Sequence, residues 1–155
     1  MSSQSQRSLA LIYDSWQEED RQLEGYIDEV RDWMLEVNQF GIPHFGETAT
    51  RLRPLRDRLF MHFGRENELI SQLANFYPAS SPEIEAVRKQ SIADHDQLLS
   101  RLENLIDRLN LSEPPFQSWT EAMDEVSLFV DAIEQHEDRE SDSIEMLMPT
   151  ASDED

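Results

Sequence analysis

The chain has 155 residues, of which 33 are acidic and 13 are basic, and its net charge is −20. A surface this negative repels nucleic acids and anionic membranes, so we expect neither as a partner. The chain contains no cysteine, which excludes disulfides, thiolate metal sites and thiol catalysis. No apolar run reaches membrane-spanning length, and the first residues lack the apolar segment of a signal peptide. We therefore expect a cytoplasmic protein.

Four helices are predicted in chain order. Turn-forming residues cluster at 41–46, 77–82 and 110–115, and the segments between them repeat apolar residues at helical spacing. The predicted helices are about 8–39, 47–76, 81–110 and 116–147, and an acidic tail follows at 149–155. We expect a kink or a displaced start at Pro54, and an N-cap at Ser81 with Pro82 in the first turn. The pattern indicates one all-α domain over 1–155, an antiparallel up-and-down four-helix bundle.

Ionisable residues interrupt the apolar stripe of each predicted helix near its middle. The first stripe contains an aspartate, the second and fourth each contain a His-x-x-x-Glu phrase, and the third contains a histidine and Arg88. A step of four residues on a helix brings both side chains of such a phrase onto one face. Because the middles of antiparallel helices meet, we expect one layer of the core to collect Asp20, His62, Glu66, His95, His136 and Glu140.

A metal centre would compensate for the burial of these groups. Burying a charge in protein costs several kcal/mol, whereas a whole domain is stable by roughly 5–15 kcal/mol. With a metal present, the charges of the ligands contribute to binding instead. Imidazole and carboxylate together suit iron, and carboxylates that can bridge favour a non-haem di-iron pair, with a single ion as the alternative. A buried polar network without metal is the competing interpretation.

At these positions the chain resembles the hemerythrin-like family of HHE cation-binding domains, from about Trp16 to Met148. That family has a His on the first helix, His-x-x-x-Glu on the second, a His on the third and His-x-x-x-Glu on the fourth. The matching positions are His62, Glu66, His95, His136 and Glu140. The resemblance implies a hemerythrin-like bundle in which histidines cap two iron ions and the two glutamates bridge them.

Two positions depart from the family pattern. Asp20 stands where the first-helix histidine is expected, and Glu24, one turn later, is an alternative ligand there. Oxygen-carrying members also have an additional third-helix histidine, but Ser91 and Leu99 flank His95 at one turn's distance. A ligand set this poor in histidine disfavours a dedicated reversible oxygen carrier.

The resemblance implies a metal-binding protein that binds or senses O2 or NO, or handles iron, rather than an enzyme. The alternatives are a metal-depleted helical interaction module and a weak peroxide-type redox enzyme at the same site. His44 would lie about 27 Å from His62 on a continuous helix, so we do not expect it to be a ligand. The sequence shows no apolar exterior face, and we expect a monomer.

Overall fold

The computed structural model describes residues 3–38, 45–77 and 81–147, which form a ring of four helices. They are α1 (Ser3–Asn38), α2 (Phe45–Ala74), α3 (Pro82–Leu109) and α4 (Trp119–Leu147). Consecutive helices contact each other, and α1 also contacts α4. Helices α1 and α4 are antiparallel. Tyr13, in the first half of α1, donates to Glu145, near the end of α4, whereas Arg31, near the end of α1, pairs with Asp131, in the first half of α4. The prediction of an all-α, antiparallel four-helix bundle is confirmed.

The N-terminal ends of three helices differ from the predicted ones. α1 starts at Ser3 instead of residue 8, because no glycine or proline interrupts that segment. α2 starts at Phe45 instead of residue 47. α4 starts at Trp119 instead of residue 116, because Ser118 caps it. The backbone N–H of Glu121 donates to Ser118 Oγ at 3.1 Å, and the carboxylate of Glu121 accepts from the backbone N–H of Gln117. This Ser-x-x-Glu phrase is a variant of the capping box.

Prolines mark one helix start and one helix interior. α3 begins at Pro82 after an extended Ser81, as predicted, but the Ser81 side chain makes no capping hydrogen bond and donates to the Glu83 carboxylate at 3.1 Å instead. α2 continues through Pro54, so the expectation of a displaced start was wrong. The predicted acidic tail at 149–155 and His44 lie outside the described residues.

A polar layer divides the apolar core of the bundle in two. The larger cluster lies on one side and includes Leu23, Leu59, Leu102 and Phe129. The smaller cluster lies on the other side and contains Leu9, Trp16, Leu69, Ile70, Leu73, Ile84 and Ile144. The predicted stripes are confirmed as buried or partly buried, except that Arg88 is exposed. Its guanidinium stays in water because an unpaired charge is costly to bury.

None of these four helices is long and apolar enough to cross a lipid bilayer. Their charged residues recur within every helix, so an uninterrupted apolar segment does not form. The buried apolar side chains form the two clusters on either side of the polar layer, while others, such as Phe60 and Met61, are exposed.

Leu102→Ala tests the larger cluster at a fully buried position. Removing three carbons there leaves a cavity, so we expect the free energy of unfolding in urea to fall by about 2–5 kcal/mol. Leu128→Ala is the matched control, because Leu128 is 59% exposed, and we expect a change below about 0.5 kcal/mol. Equal losses in the two variants would contradict this description of the core.

Candidate metal centre

Seven side chains in the polar layer form two groups of potential metal ligands. Within each group the ligand atoms lie within 4.8 Å of one another. Among the described residues, one group consists of Glu66, His95, His136 and Glu140, and the other of Asp20, His62, Glu66 and Glu137. All four helices contribute, and Glu66 belongs to both groups. The structure therefore brings together the six residues that the sequence pattern placed in one layer, and it adds Glu137. Glu24 is exposed and belongs to neither of these groups.

Each His-x-x-x-Glu phrase places its imidazole against its own carboxylate. His62 Nε2 lies 3.2 Å from Glu66 Oε1, one turn further along α2. On α4, His136 Nε2 contacts Glu140 Oε2 in the same way. His95 joins the two phrases from α3, with its Nε2 atom 3.2 Å from oxygens of both glutamates. Glu66 is fully buried at the centre of this arrangement.

The three imidazoles point Nε2 toward the centre and Nδ1 away from it. The outer Nδ1 partners are Glu19 for His62 (3.2 Å), Asn67 for His95 (2.9 Å) and Asp94 for His136 (3.3 Å). Metal-binding histidines in proteins commonly have such a partner, which holds the ring and favours a free nitrogen on the metal side. The ring orientation is thus the one that a metal site requires.

Phe63 fixes the imidazoles from the core side. Its ring stacks on His95 with centroids 4.1 Å apart and planes 6° apart. It also meets His136 edge-on at 5.7 Å, and His62 lies 5.8 Å away. An aromatic ring packed against three imidazoles limits their rotation and excludes water from that side.

Two serines orient the carboxylates. Ser91 donates to Glu140 Oε1 at 2.6 Å. Ser141 donates to Asp20 Oδ2 at 2.7 Å and accepts from Trp16 Nε1 at 3.4 Å. In each case one carboxylate oxygen is held by the serine, and the other is directed toward the centre.

Several buried atoms of this layer have no hydrogen-bond partner in the described structure. They are Asp20 Oδ1, both oxygens of Glu66, both ring nitrogens of His136 and Glu137 Oε2. Glu66 Oε1 is close to two imidazoles, but the angles do not allow hydrogen bonds. Leaving such a group unsatisfied costs about 1–3 kcal/mol, and more when it is charged. A cation in the centre would satisfy the carboxylate oxygens and His136 Nε2 together, so the donor set fits a metal ion. His136 Nδ1 is the exception, because it points outward to Asp94.

Proton affinities in this layer are strongly perturbed. Burial raises the pKa of Asp20 to about 8 and that of Glu66 to about 7, because the charged forms lose water. Burial alone would lower the pKa of His62 and His95, but neighbouring carboxylates outweigh it and raise these values to about 11 and about 9. Burial also opposes ionisation of Glu140, yet the adjacent imidazoles of His136 and His95 lower its pKa to about 2. In the absence of metal, protons therefore carry the positive charge of the layer, and metal binding would release them.

Sequence reasoning missed Glu137 as a member of the site. Glu137 Oε1 lies 3.2 Å from His62 Nε2, and its side chain is 12% exposed. A signal existed, because Glu137 continues the buried series of Val130 and Ile133 at helical spacing. No comparable sequence signal marks the outer partners Glu19, Asn67 and Asp94, because each lies at the edge of the buried stripe of its helix.

Together, the fold and the site define a four-helix bundle that presents nitrogen and oxygen ligands to a cation. The family model of the hemerythrin HHE cation binding domain matches residues 11–147. The chain belongs to this family, which confirms the resemblance drawn from its two His-x-x-x-Glu phrases. Searches of curated proteins and of solved structures found no match.

Glu66→Ala removes the side chain that both groups share. We expect Zn²⁺ affinity to fall more than about 100-fold in both groups, because losing an outer partner alone typically costs about 10–100-fold. Isothermal titration calorimetry measures the affinity and the number of ions bound. Glu68→Ala is the matched control, since Glu68 is exposed on the same helix and pairs with Arg65. A loss confined to one ion would show that Glu66 does not serve both groups.

Asp94→Ala removes the outer partner of His136. We expect Zn²⁺ affinity to fall about 10- to 100-fold, since the imidazole loses the carboxylate that orients it. Asp96→Ala, an identical change at an exposed position two residues further on, is expected to bind like the unmodified chain. Equal affinity in both variants would exclude a role for Asp94 in holding the ring.

Proposed function

We propose that the bundle holds a pair of non-haem iron ions, and that this centre binds or senses O2 or NO, or handles iron. The observation that carries the proposal is the pair of adjacent ligand groups that share Glu66. Together they offer three imidazoles and four carboxylates, a mixture that suits iron better than the softer or the harder metals. The proposed ligands are Asp20, His62, Glu66, His95, His136, Glu137 and Glu140.

Charge balance supports two ions in preference to one. The four carboxylates of the layer carry four negative charges when ionised, which two divalent cations neutralise. A single divalent cation would neutralise only two of these charges, so protons on the remaining imidazole and carboxylates would have to compensate for the rest. The six residues identified from sequence include only three carboxylates, and Glu137 supplies the fourth.

The protein's own residues would hold the ions and limit what reaches them. Glu66 would be shared by both ions, because it belongs to both groups and its Oε1 atom lies 3.2 Å from Nε2 of His62 and of His95, whereas Glu140 contributes to one group only. Phe63 and the two apolar clusters would exclude water from the two sides of the layer on which they pack. Iron, when bound, supplies reversible one-electron chemistry and coordination positions for a small ligand.

A route for a small ligand lies between α3 and α4. A cavity of about 350 Å³ there is lined by residues that include Ser91, Asp94, His136 and Glu140. Two of these belong to the group that contains His95, so the cavity reaches the centre from the surface. A diatomic molecule such as O2 or NO fits this opening easily.

The metal-depleted interaction module is disfavoured by the unsatisfied buried atoms. A bundle that no longer bound metal would gain stability by replacing Glu66 or His136 with apolar residues of similar size. Instead the chain retains these side chains in the centre of the core, together with outer partners for each imidazole.

Loading the chain with Fe²⁺ without oxygen tests the proposal. We expect an ion in each group, measured as iron per chain, and a change in the visible absorption spectrum when air or NO is admitted. Near-zero iron with an unchanged melting temperature would favour the interaction module. If iron binds but the spectrum changes with neither gas, gas binding is excluded and iron handling remains as the proposed role.

Histidine variants serve as the matched controls for that experiment. His136→Ala removes a proposed ligand, so we expect a marked fall in iron content and loss of the spectral change. His44→Ala makes the same substitution at a position that its spacing excludes from the centre, and we expect no effect. Equal iron content in both variants would refute the assignment of His136.

A further inference from the structure

The two ligand groups differ in chemistry. Glu66, His95, His136 and Glu140 offer two imidazoles and two carboxylates, and we name this group the nitrogen-rich half-site. Asp20, His62, Glu66 and Glu137 offer one imidazole and three carboxylates, and we name this group the oxygen-rich half-site. This difference in ligand type does not depend on which ion Glu66 binds more strongly, because Glu66 belongs to both half-sites.

The oxygen ligands of the oxygen-rich half-site are held in place by their neighbours. Ser141 binds one oxygen of Asp20 at 2.7 Å, and Trp16 supports Ser141 from the core. His62 lies 3.2 Å from one oxygen of Glu137. The second oxygen of each carboxylate, Asp20 Oδ1 and Glu137 Oε2, is buried without a hydrogen-bond partner. These atoms are thus available to a cation.

The surroundings of the two half-sites differ in charge as well. A cavity of about 350 Å³ between α1 and α4 reaches the oxygen-rich half-site. Its ionisable lining is entirely acidic within the described structure: Asp20, Glu24, Asp28, Glu134, Glu137 and Asp138. Arg31 pairs with Glu134 at its edge. The cavities between α3 and α4, beside the nitrogen-rich half-site, are instead lined in part by Arg101 and Arg139. A second cavity beside Asp20 includes Arg21 together with Glu24 and Glu145. The surroundings of the oxygen-rich half-site are still the more acidic, so a cation there experiences the more negative field.

We propose that the two half-sites select different metals, so that the oxygen-rich half-site takes a harder ion, Mn²⁺, while the nitrogen-rich half-site takes iron. This inference rests on the proposed two-metal centre and refines it. Carboxylate oxygen suits manganese, whereas imidazole raises the preference for iron over manganese. Asp20, the ligand that α1 contributes, makes the two half-sites unequal in imidazole content, because a histidine at this position would give both half-sites two imidazoles.

Competition between the two metals tests the inference. The metal-free chain is incubated without oxygen with Mn²⁺ in excess over Fe²⁺, because a given set of nitrogen and oxygen ligands binds Fe²⁺ more tightly than Mn²⁺. The metal per chain is then measured. Anomalous diffraction at the manganese and iron absorption edges then locates each ion in crystals of the product. We expect manganese beside Asp20 and iron beside His95. Iron in both half-sites, or manganese divided equally between them, would overturn the inference while leaving the two-metal centre intact. A chain that binds neither metal would overturn both.

Asp20→His shows whether the ligand on α1 sets the preference. We expect the ratio of manganese to iron to fall at least about tenfold, because an added imidazole favours iron. Asp32→His is the matched control, because it is the identical substitution on the same helix at an exposed position that lines neither cavity beside Asp20, and we expect an unchanged ratio. An equal fall in the two variants would show that charge alone, and not ligation, sets the ratio, which would overturn the inference.

Asp20→Asn is a second variant of nearly the same shape, which guards against misfolding of the histidine variant. We expect it to lose manganese from the oxygen-rich half-site, measured as a weaker Mn²⁺ signal in electron paramagnetic resonance, and to retain iron in the other half-site. An undiminished manganese signal would overturn the inference.

Discussion

The structure depends on one constraint, which is that seven ionisable side chains lie in a single layer of a closed helical bundle. Glu66 shows the constraint at its strongest, because it is fully buried and neither of its oxygens has a hydrogen bond. Hydrocarbon clusters on both sides of the layer exclude water along the bundle axis, and Glu66 and the three imidazoles are at most 3% exposed. Such a layer is stable only if something positive fills it, and protonated imidazoles and metal ions are the available candidates.

The same packing that makes the layer costly also makes it rigid. Phe63 stacks on His95, Asn67 and Glu19 hydrogen-bond the outer nitrogens of His95 and His62, and the Asp94 carboxylate lies 3.3 Å from the outer nitrogen of His136. The ligand atoms therefore need little rearrangement to receive a cation, which favours binding because less conformational freedom is lost. Membership of the HHE cation-binding family and the local geometry thus lead to the same conclusion by separate routes.

A single departure from the family pattern changes the character of the centre. With Asp20 on α1, and with Glu137 beside it on α4, the half of the layer between these helices is supplied mainly by oxygen. The acidic cavity between α1 and α4 extends this character to the surface. The half of the layer between α3 and α4 keeps two imidazoles and has arginines nearby. We infer that an unequal pair of metal positions follows from this asymmetry.

The sequence alone determined the four helices, their buried stripes and six members of the layer, because helical periodicity and the His-x-x-x-Glu spacing are local properties of the chain. The start of α4 could also have been read from the phrase that begins at Ser118. Only the tertiary structure decided that Glu137 joins the layer, that Glu24 does not, and that Glu66 alone belongs to both groups. These outcomes depend on the rotation of each helix about its axis and on which neighbour faces a side chain at the edge of a stripe. Packing of all four helices sets that rotation, and no single segment encodes it.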